Sequence, residues 1–239
     1  MKIILITGHL GFIGKALKSY LENKNYKVIG LDLKEGCDIL TSSLPDCDFV
    51  IHLAAVSGVR QSINDPEKYW RVNVDGTRRI LDHYKDKRVL VASSSSQYEP
   101  HLNPYAASKH VMEFIPHANV CFMRFHTVYS SSPRENMFFY KLLNNTLEYT
   151  TVHERDFIHI DDICDAVNLL LDHRYVGAID IGTGLSIKIT DVAPHLPIKL
   201  DTPSERMITK ADISKISAIG FKPKIDVREF IVNYVTTDK

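Results

Sequence analysis

The chain has 239 residues, 44% of them hydrophobic, and its 29 lysines and arginines are balanced by 29 aspartates and glutamates. That length supports one sizeable α/β unit with at most a small appended lobe, and excludes two large independent domains. The charge balance supplies no overall field toward nucleic acid or an anionic membrane, so neither is expected as a partner and an anionic ligand must be met by local cations.

Cys37, Cys47, Cys121 and Cys164 are scattered without CxxC spacing, which forms neither a zinc pattern nor a disulfide framework and suits a reducing, cytoplasmic setting. His9, His52, His126, His153 and His159 show no HxxxH or HxH spacing, so no metal is expected. The apolar run at 3–6 is too short for a signal core or a membrane span and leads directly into a glycine motif.

In chain order, a first strand is expected at 3–7, then Gly8-His9-Leu10-Gly11-Phe12-Ile13-Gly14, then a helix over 15–21. A glycine turn joining strand to helix lets backbone amides approach a pyrophosphate at the positive end of the helix. Taken alone, the motif also suits a plain turn. A second strand at 27–31 ends at Asp32, whose carboxylate suits the hydroxyls of an adenosine ribose and repels a 2′-phosphate. This favours NAD, while Lys34 keeps NADP open. Only five residues separate Asp32 from Asp38, whereas a helical crossover needs about a dozen or more. The edge β-α unit of the sheet is therefore expected to be missing.

Further strands are expected at 49–53, 89–92, 120–125 and 178–181, short apolar runs of the kind covered on both faces in a doubly wound parallel sheet. After the first of these, Tyr69, Val72, Ile80 and Tyr84 recur at helical spacing behind Asp65 as N-cap and Pro66 as first helical residue. The serine run from Ser93 to Ser96 follows a strand at the carboxyl edge of the sheet and reads as a site. Tyr105 and Lys109 lie four apart at the start of a helix and share a face. An ammonium there is expected to lower the tyrosine pKa toward the range where a base works, although a lone pair of this kind also suits an ordinary surface. Pro116 should end that helix early. Beyond 182, Pro194, Pro197, Pro203 and Pro223 punctuate short segments. The expected division is a Rossmann-type α/β domain over 1–182, with 126–160 contributing to a substrate site, and a small C-terminal substrate lobe over 183–239.

GHLGFIG at 8–14, HLAA at 52–55, NVDGT at 73–77 and YAASK at 105–109, in that order, resemble the extended short-chain dehydrogenase/reductases of the NAD-dependent epimerase/dehydratase family. HLAAVSGVRQS at 52–62, the stretch from Arg124 to Met137 and RDFIHIDDI at 155–163 resemble the UDP-glucuronate 4-epimerases within it. The resemblance implies NAD bound by Gly8, Gly11, Phe12, Ile13, Gly14, Asp32, Asp38, Ile39, Leu53, Ala54, Ala55 and Asn73, with Tyr105 and Lys109. It implies a catalytic set of Ser94, Tyr105 and Lys109, with Ser95 as the alternative to Ser94 should the register differ by one. It also implies a UDP-sugar held by Ser57, Arg60, Ser95, Thr127, Arg134, Arg155 and Arg206.

The activity implied is C4 epimerisation of a UDP-hexose or UDP-hexuronic acid, such as UDP-glucuronate, through a 4-keto intermediate. A nucleotide-4-keto-sugar reductase and a catalytically silent NAD-binding regulatory protein are the alternatives. Ser95-Ser96 stand where dehydratases place an acidic pair, which argues against dehydration. Other departures are Glu99 for a glycine, Ser130-Ser131 for Gly-Pro and His126 for an aromatic. The short catalytic helix also argues against the homodimer usual in the family.

Overall fold

Six apolar runs pair into one parallel sheet: β1 (Ile3–Thr7), β2 (Lys27–Leu31), β3 (Phe49–His52), β4 (Arg88–Ser94), β5 (Val120–Phe125) and the strand Gly177–Ile181. From one edge the order is Gly177–Ile181, β5, β4, β3, β1, β2, and every neighbouring pair is parallel. This computed structural model describes residues 1–135, 137–200 and 204–235; Pro203, one of the punctuating prolines, lies outside the described residues. The chain runs outward from β1 to β2 and then returns to β3 on the other side of β1. The resulting crevice opens at the carboxyl ends of these strands, where ligands bind in sheets of this type.

Both faces of the sheet are covered, which is why its strands read as unbroken apolar runs. On one side Ile4, Ile6, Ile51, Leu90 and Met123 pack with Leu17 and Leu21 of helix α1 (Phe12–Asn23) and with Ile163, Val167 and Leu170 of the helix Ile160–Asp172. On the other, Leu5, Val50, Val89, Val91 and Phe122 pack with Ile80, Leu81 and Met112.

Among the described residues the edge β-α unit is absent, as expected: β2 is the outermost strand. A strap takes its place. It makes one short 3-10 turn (Leu33–Glu35), turns at Gly36 with φ +78°, and buries Ile39 against Gly76, where an added Cβ would lie 2.7 Å from the isoleucine. The Arg79 guanidinium fastens it by donating to the carbonyls of Ile39 and Ser42 at 2.5 and 2.7 Å. Tyr84 Oη adds a bond to the Pro45 carbonyl at 2.7 Å.

The helical stretch after Asp65 is divided. Asp65 caps Pro66–Tyr69 by accepting from Lys68 N, a wide π turn covers Trp70–Asp75, and an α-helix resumes over Gly76–His83. The helix carrying Tyr105 and Lys109 spans only Pro104–Met112. Asn103 caps it, accepting from Ala106 N at 2.8 Å, and it ends before Pro116. Beyond residue 182 the chain contributes to cores begun earlier. Ile216 and Phe221 join the α1 side of the sheet, while Ile187, Val192, Val227 and Phe230 pack on Tyr129, Phe139 and Phe157.

Candidate active site

The crevice holds a cleft of about 870 Å³ lined by the glycine loop, the ends of β1 to β3 and the strap. Two glycines are needed there for different reasons. Gly8 has φ +74°, and a Cβ on it would lie 2.7 Å from Ala54 N. Gly14 is where α1 crosses the loop, and a Cβ there would lie 2.2 Å from the Gly8 carbonyl oxygen. Helix α1 begins after Gly11 with no side-chain cap, which leaves its first amides available for an anion at the positive helix end. Asp32 is buried, its Oδ2 accepting from Leu10 N at 2.9 Å and its Oδ1 from Lys34 N at 3.0 Å. Each carboxylate oxygen retains a second acceptor site for a ribose hydroxyl.

Of the residues expected to hold the cofactor, Gly8, Gly11, Phe12, Asp32, Asp38, Ile39, Leu53, Ala54 and Ala55 line this cleft. Ile13, Gly14, Asn73, Tyr105 and Lys109 do not line it. Ile13 packs on the core, and Asn73 is fully buried, exchanging bonds of 2.8 and 3.0 Å with the backbone of Val56 and donating to Ser108 at 2.9 Å. It shapes the cleft by pinning the loop after β3. Thr7 Oγ1 does likewise, accepting from Ala54 N at 3.3 Å beside a 2.6 Å contact with His52 Nδ1. Burial, aided by the Lys109 charge, brings His52 down to about 3, so its ring is neutral.

Ser94 stands at the end of β4, and its hydroxyl is near enough to Tyr105 to favour the ionised phenol. The expected effect of Lys109 on Tyr105 is not found. Burial pushes the Tyr105 hydroxyl above its ordinary range, only partly offset by the Ser94 hydroxyl and the Arg134 charge. The Lys109 ammonium is directed at the Ala92 carbonyl, 2.7 Å away. It is itself brought down to about 8 by burial, against the opposing pull of Glu113. The (i, i+4) spacing gives a shared helix face, but the terminus of a long lysine side chain is placed by the nearest strong acceptor, here a strand carbonyl.

A second, smaller cleft of about 180 Å³ adjoins Ser94 and includes Ser95, Thr127, Arg155 and Arg206 in its lining. Its arginines hold partners within the chain. Arg155 Nη1 donates to the Arg206 carbonyl at 2.8 Å, and its Nη2 lies 3.4 Å from Glu205. Arg206 pairs with Glu99 at 3.0 Å and donates to the Ser95 carbonyl at 2.8 Å. Arg60 is largely exposed and lies 3.3 Å from Glu205, outside the lining of both clefts. Arg134 faces the larger cleft and donates to Ser57 Oγ at 3.1 Å. Of the expected substrate residues, Ser95, Thr127, Arg155 and Arg206 thus line the smaller cleft, Arg134 lines the larger, and Ser57 and Arg60 line neither.

A largely buried network behind the serines escaped the sequence reading. Ser93 Oγ donates to Glu113, which pairs with Arg124; Arg124 donates to Tyr98 Oη at 2.8 Å, and Tyr98 donates to Asp180 at 2.7 Å. The available signal was charge inside apolar strands, at Arg124 and Asp180. Asp156 carried the same signal beside Arg155. It is fully buried and accepts from Thr183 N and Oγ1, Gly184 N and Ala211 N at 2.7–3.0 Å.

The family model described as NAD dependent epimerase/dehydratase matches residues 4–182. The chain belongs to that family. A putative UDP-glucose 4-epimerase of Methanocaldococcus jannaschii is 29% identical, over 98% of this chain and 97% of that protein. A UDP-glucuronate 4-epimerase of Thermodesulfobacterium geofontis is 25% identical, over 100% and 97%. Among solved structures, UDP-glucuronic acid 4-epimerase from Bacillus cereus, in complex with UDP-glucuronic acid and NAD, superposes with a TM-score of 0.83 at 27% identity, covering 98% of this chain and 99% of that one. MoeE5 in complex with UDP-glucose and NAD also has a TM-score of 0.83 at 27% identity, covering 98% and 97%. The cofactor of the family is NAD, and the volume, the uncapped helix start and the buried Asp32 of the larger cleft fit a dinucleotide.

Proposed function

We propose that this family member is an NAD-dependent nucleotide-sugar epimerase, inverting C4 of a UDP-hexose or UDP-hexuronic acid such as UDP-glucuronate. The observation that carries the reading is the place of Ser94, near Tyr105 and in the lining of a cleft that Arg155 and Arg206 also line, in a chain that holds a dinucleotide-sized cleft as well. NAD, which the glycine loop and Asp32 of the larger cleft would hold, would supply the hydride chemistry of the reaction.

Tyr105 removes the proton of the C4 hydroxyl and later returns it. Ser94 donates to the same oxygen and stabilises the ketone. Lys109, held at the Ala92 carbonyl, fixes the helix that carries Tyr105 against the carbonyl end of β4. Arg155 and Arg206 take the diphosphate with their guanidinium forks, and Arg134 with Ser57 meets the sugar between the clefts. Residues 1–182 serve the cofactor, while 126–160 and 183–239 together complete the sugar side.

Purified protein supplied with NAD and a panel of UDP-sugars, its products resolved by chromatography, tests the reading. Conversion of one sugar to its C4 epimer without net NADH supports it. Consumption of a reduced nicotinamide by a 4-keto sugar instead identifies a reductase. NAD binding with no turnover of any sugar identifies a silent protein.

A further inference from the structure

The strap that stands in for the edge unit closes into a turn where it borders the larger cleft. The Asp38 carbonyl accepts from Thr41 N at 3.1 Å and from Ser42 N at 2.8 Å, and Asp38 Oδ1 accepts from Leu40 N at 2.9 Å. Asp38, Ile39 and Leu40 all line the cleft, and Asp38 is only half-buried. Among the described residues, the second carboxylate oxygen of Asp38 and the amide of Ile39 hold no hydrogen bond. The turn therefore offers the cleft one free acceptor and one free donor in adjacent residues.

That pair matches the Watson–Crick edge of adenine, whose amino group donates and whose N1 accepts. Asp32, the carboxylate suited to the adenosine ribose, lies a few residues back along the same strap, so the base falls beside the turn. No neighbouring strand holds this part of the chain. Arg79, in the helix Gly76–His83, does so with two nitrogens of one guanidinium, Nη1 on the Ile39 carbonyl and Nη2 on the Ser42 carbonyl. The peptide between Ile39 and Leu40 thus has a cation at its carbonyl and the Asp38 carboxylate at its N–H. A peptide unit is planar, so fixing its carbonyl also fixes the direction of its N–H. Both of its bonds are charge-assisted, the stronger kind.

We infer that Arg79 is a positioning residue for the dinucleotide, holding through the peptide between Ile39 and Leu40 the Asp38 carboxylate that accepts from the adenine amino group. Arg79 itself lies outside the lining of the cleft, so its effect is carried by the strap. The inference rests on the cofactor of the family and stands whichever sugar is turned over.

The test is calorimetric titration of the protein with NAD and with nicotinamide hypoxanthine dinucleotide, whose base has a carbonyl in place of the amino group and a donor at N1. Both partners of the turn are then mismatched, and wild type should bind NAD roughly tenfold more tightly. Equal binding of the two by wild type overturns the inference. Arg79→Met keeps the apolar stem and removes both donors. It should bring the two affinities within about twofold of each other, whereas a loss of folded protein alone weakens both alike and keeps their ratio. A wild-type ratio in the folded methionine variant overturns the inference. Arg79→Lys decides the matter if the methionine variant does not fold. One ammonium cannot reproduce the two-nitrogen fork, so the preference for NAD should fall to about threefold, and a preference still at the wild-type value overturns the inference.

Discussion

Glu113 and Arg124 meet side to side: Nε of the arginine lies 3.1 Å from both carboxylate oxygens, and Nη2 lies 2.7 Å from Oε2. Glu113 caps the helix Pro104–Met112 one turn after Lys109, and Arg124 sits inside β5. The pair therefore ties the helix that presents Tyr105 to the sheet that presents Ser94. Glu113→Ala leaves a largely buried guanidinium without its carboxylate and should cost about 3 kcal/mol. Chemical denaturation checks this, and a loss under 1 kcal/mol would show that the pair is not needed to hold the helix.

Tyr105→Phe removes the hydroxyl and little else. Turnover of the preferred UDP-sugar should fall at least about a hundredfold, while NAD affinity stays within about twofold. Retained activity would mean that another group takes the C4 proton.

The pH response of stability carries the signature of His52. Its folded pKa is depressed to about 3 from an ordinary 6.5, so between these values the unfolded chain binds a proton that the folded one refuses. Stability from this group is complete above pH 6.5 and falls as pH drops toward 3. His52→Gln lacks the titration. Between pH 6.5 and 4.5 the wild type should lose roughly 2 kcal/mol more than the variant, and parallel losses in urea melts would contradict the neutral, buried ring.

Gly14→Ala introduces a methyl group 2.2 Å from the Gly8 carbonyl oxygen, which no side-chain rotation relieves. The loop or the helix must shift, at a cost of about 1–3 kcal/mol. The displaced amides should weaken NAD by roughly tenfold. An unchanged NAD titration would show that the loop adapts without moving its amides.

Legibility in the sequence follows the range of the forces involved. The six strands and the glycine loop were readable because burial on both faces and a tight strand-to-helix turn impose local composition, as in Ile3–Thr7 and Gly8–Gly14. The missing edge unit was readable from chain length alone, since five residues cannot cross a sheet as a helix. Long-range pairing was not readable. Nothing local says that Lys109 will reach the Ala92 carbonyl, that Glu205 will lie between Arg60 and Arg155, or that Asn73 will brace a loop instead of facing the cofactor.

The strap between Asp32 and β3 changes what the sheet presents to its surroundings. With no third strand alongside, the outer backbone groups of β2 form an open edge, the feature that elsewhere invites pairing with another chain. Here the edge is only five residues long, it begins at an exposed lysine, Lys27, and Gly30 lies so close under the His9 ring that an added Cβ would sit 2.5 Å from it. A residue of the glycine loop, His9, thus covers one face of the outermost strand. Replacing His9 with a small side chain would open a gap over Gly30 on that face.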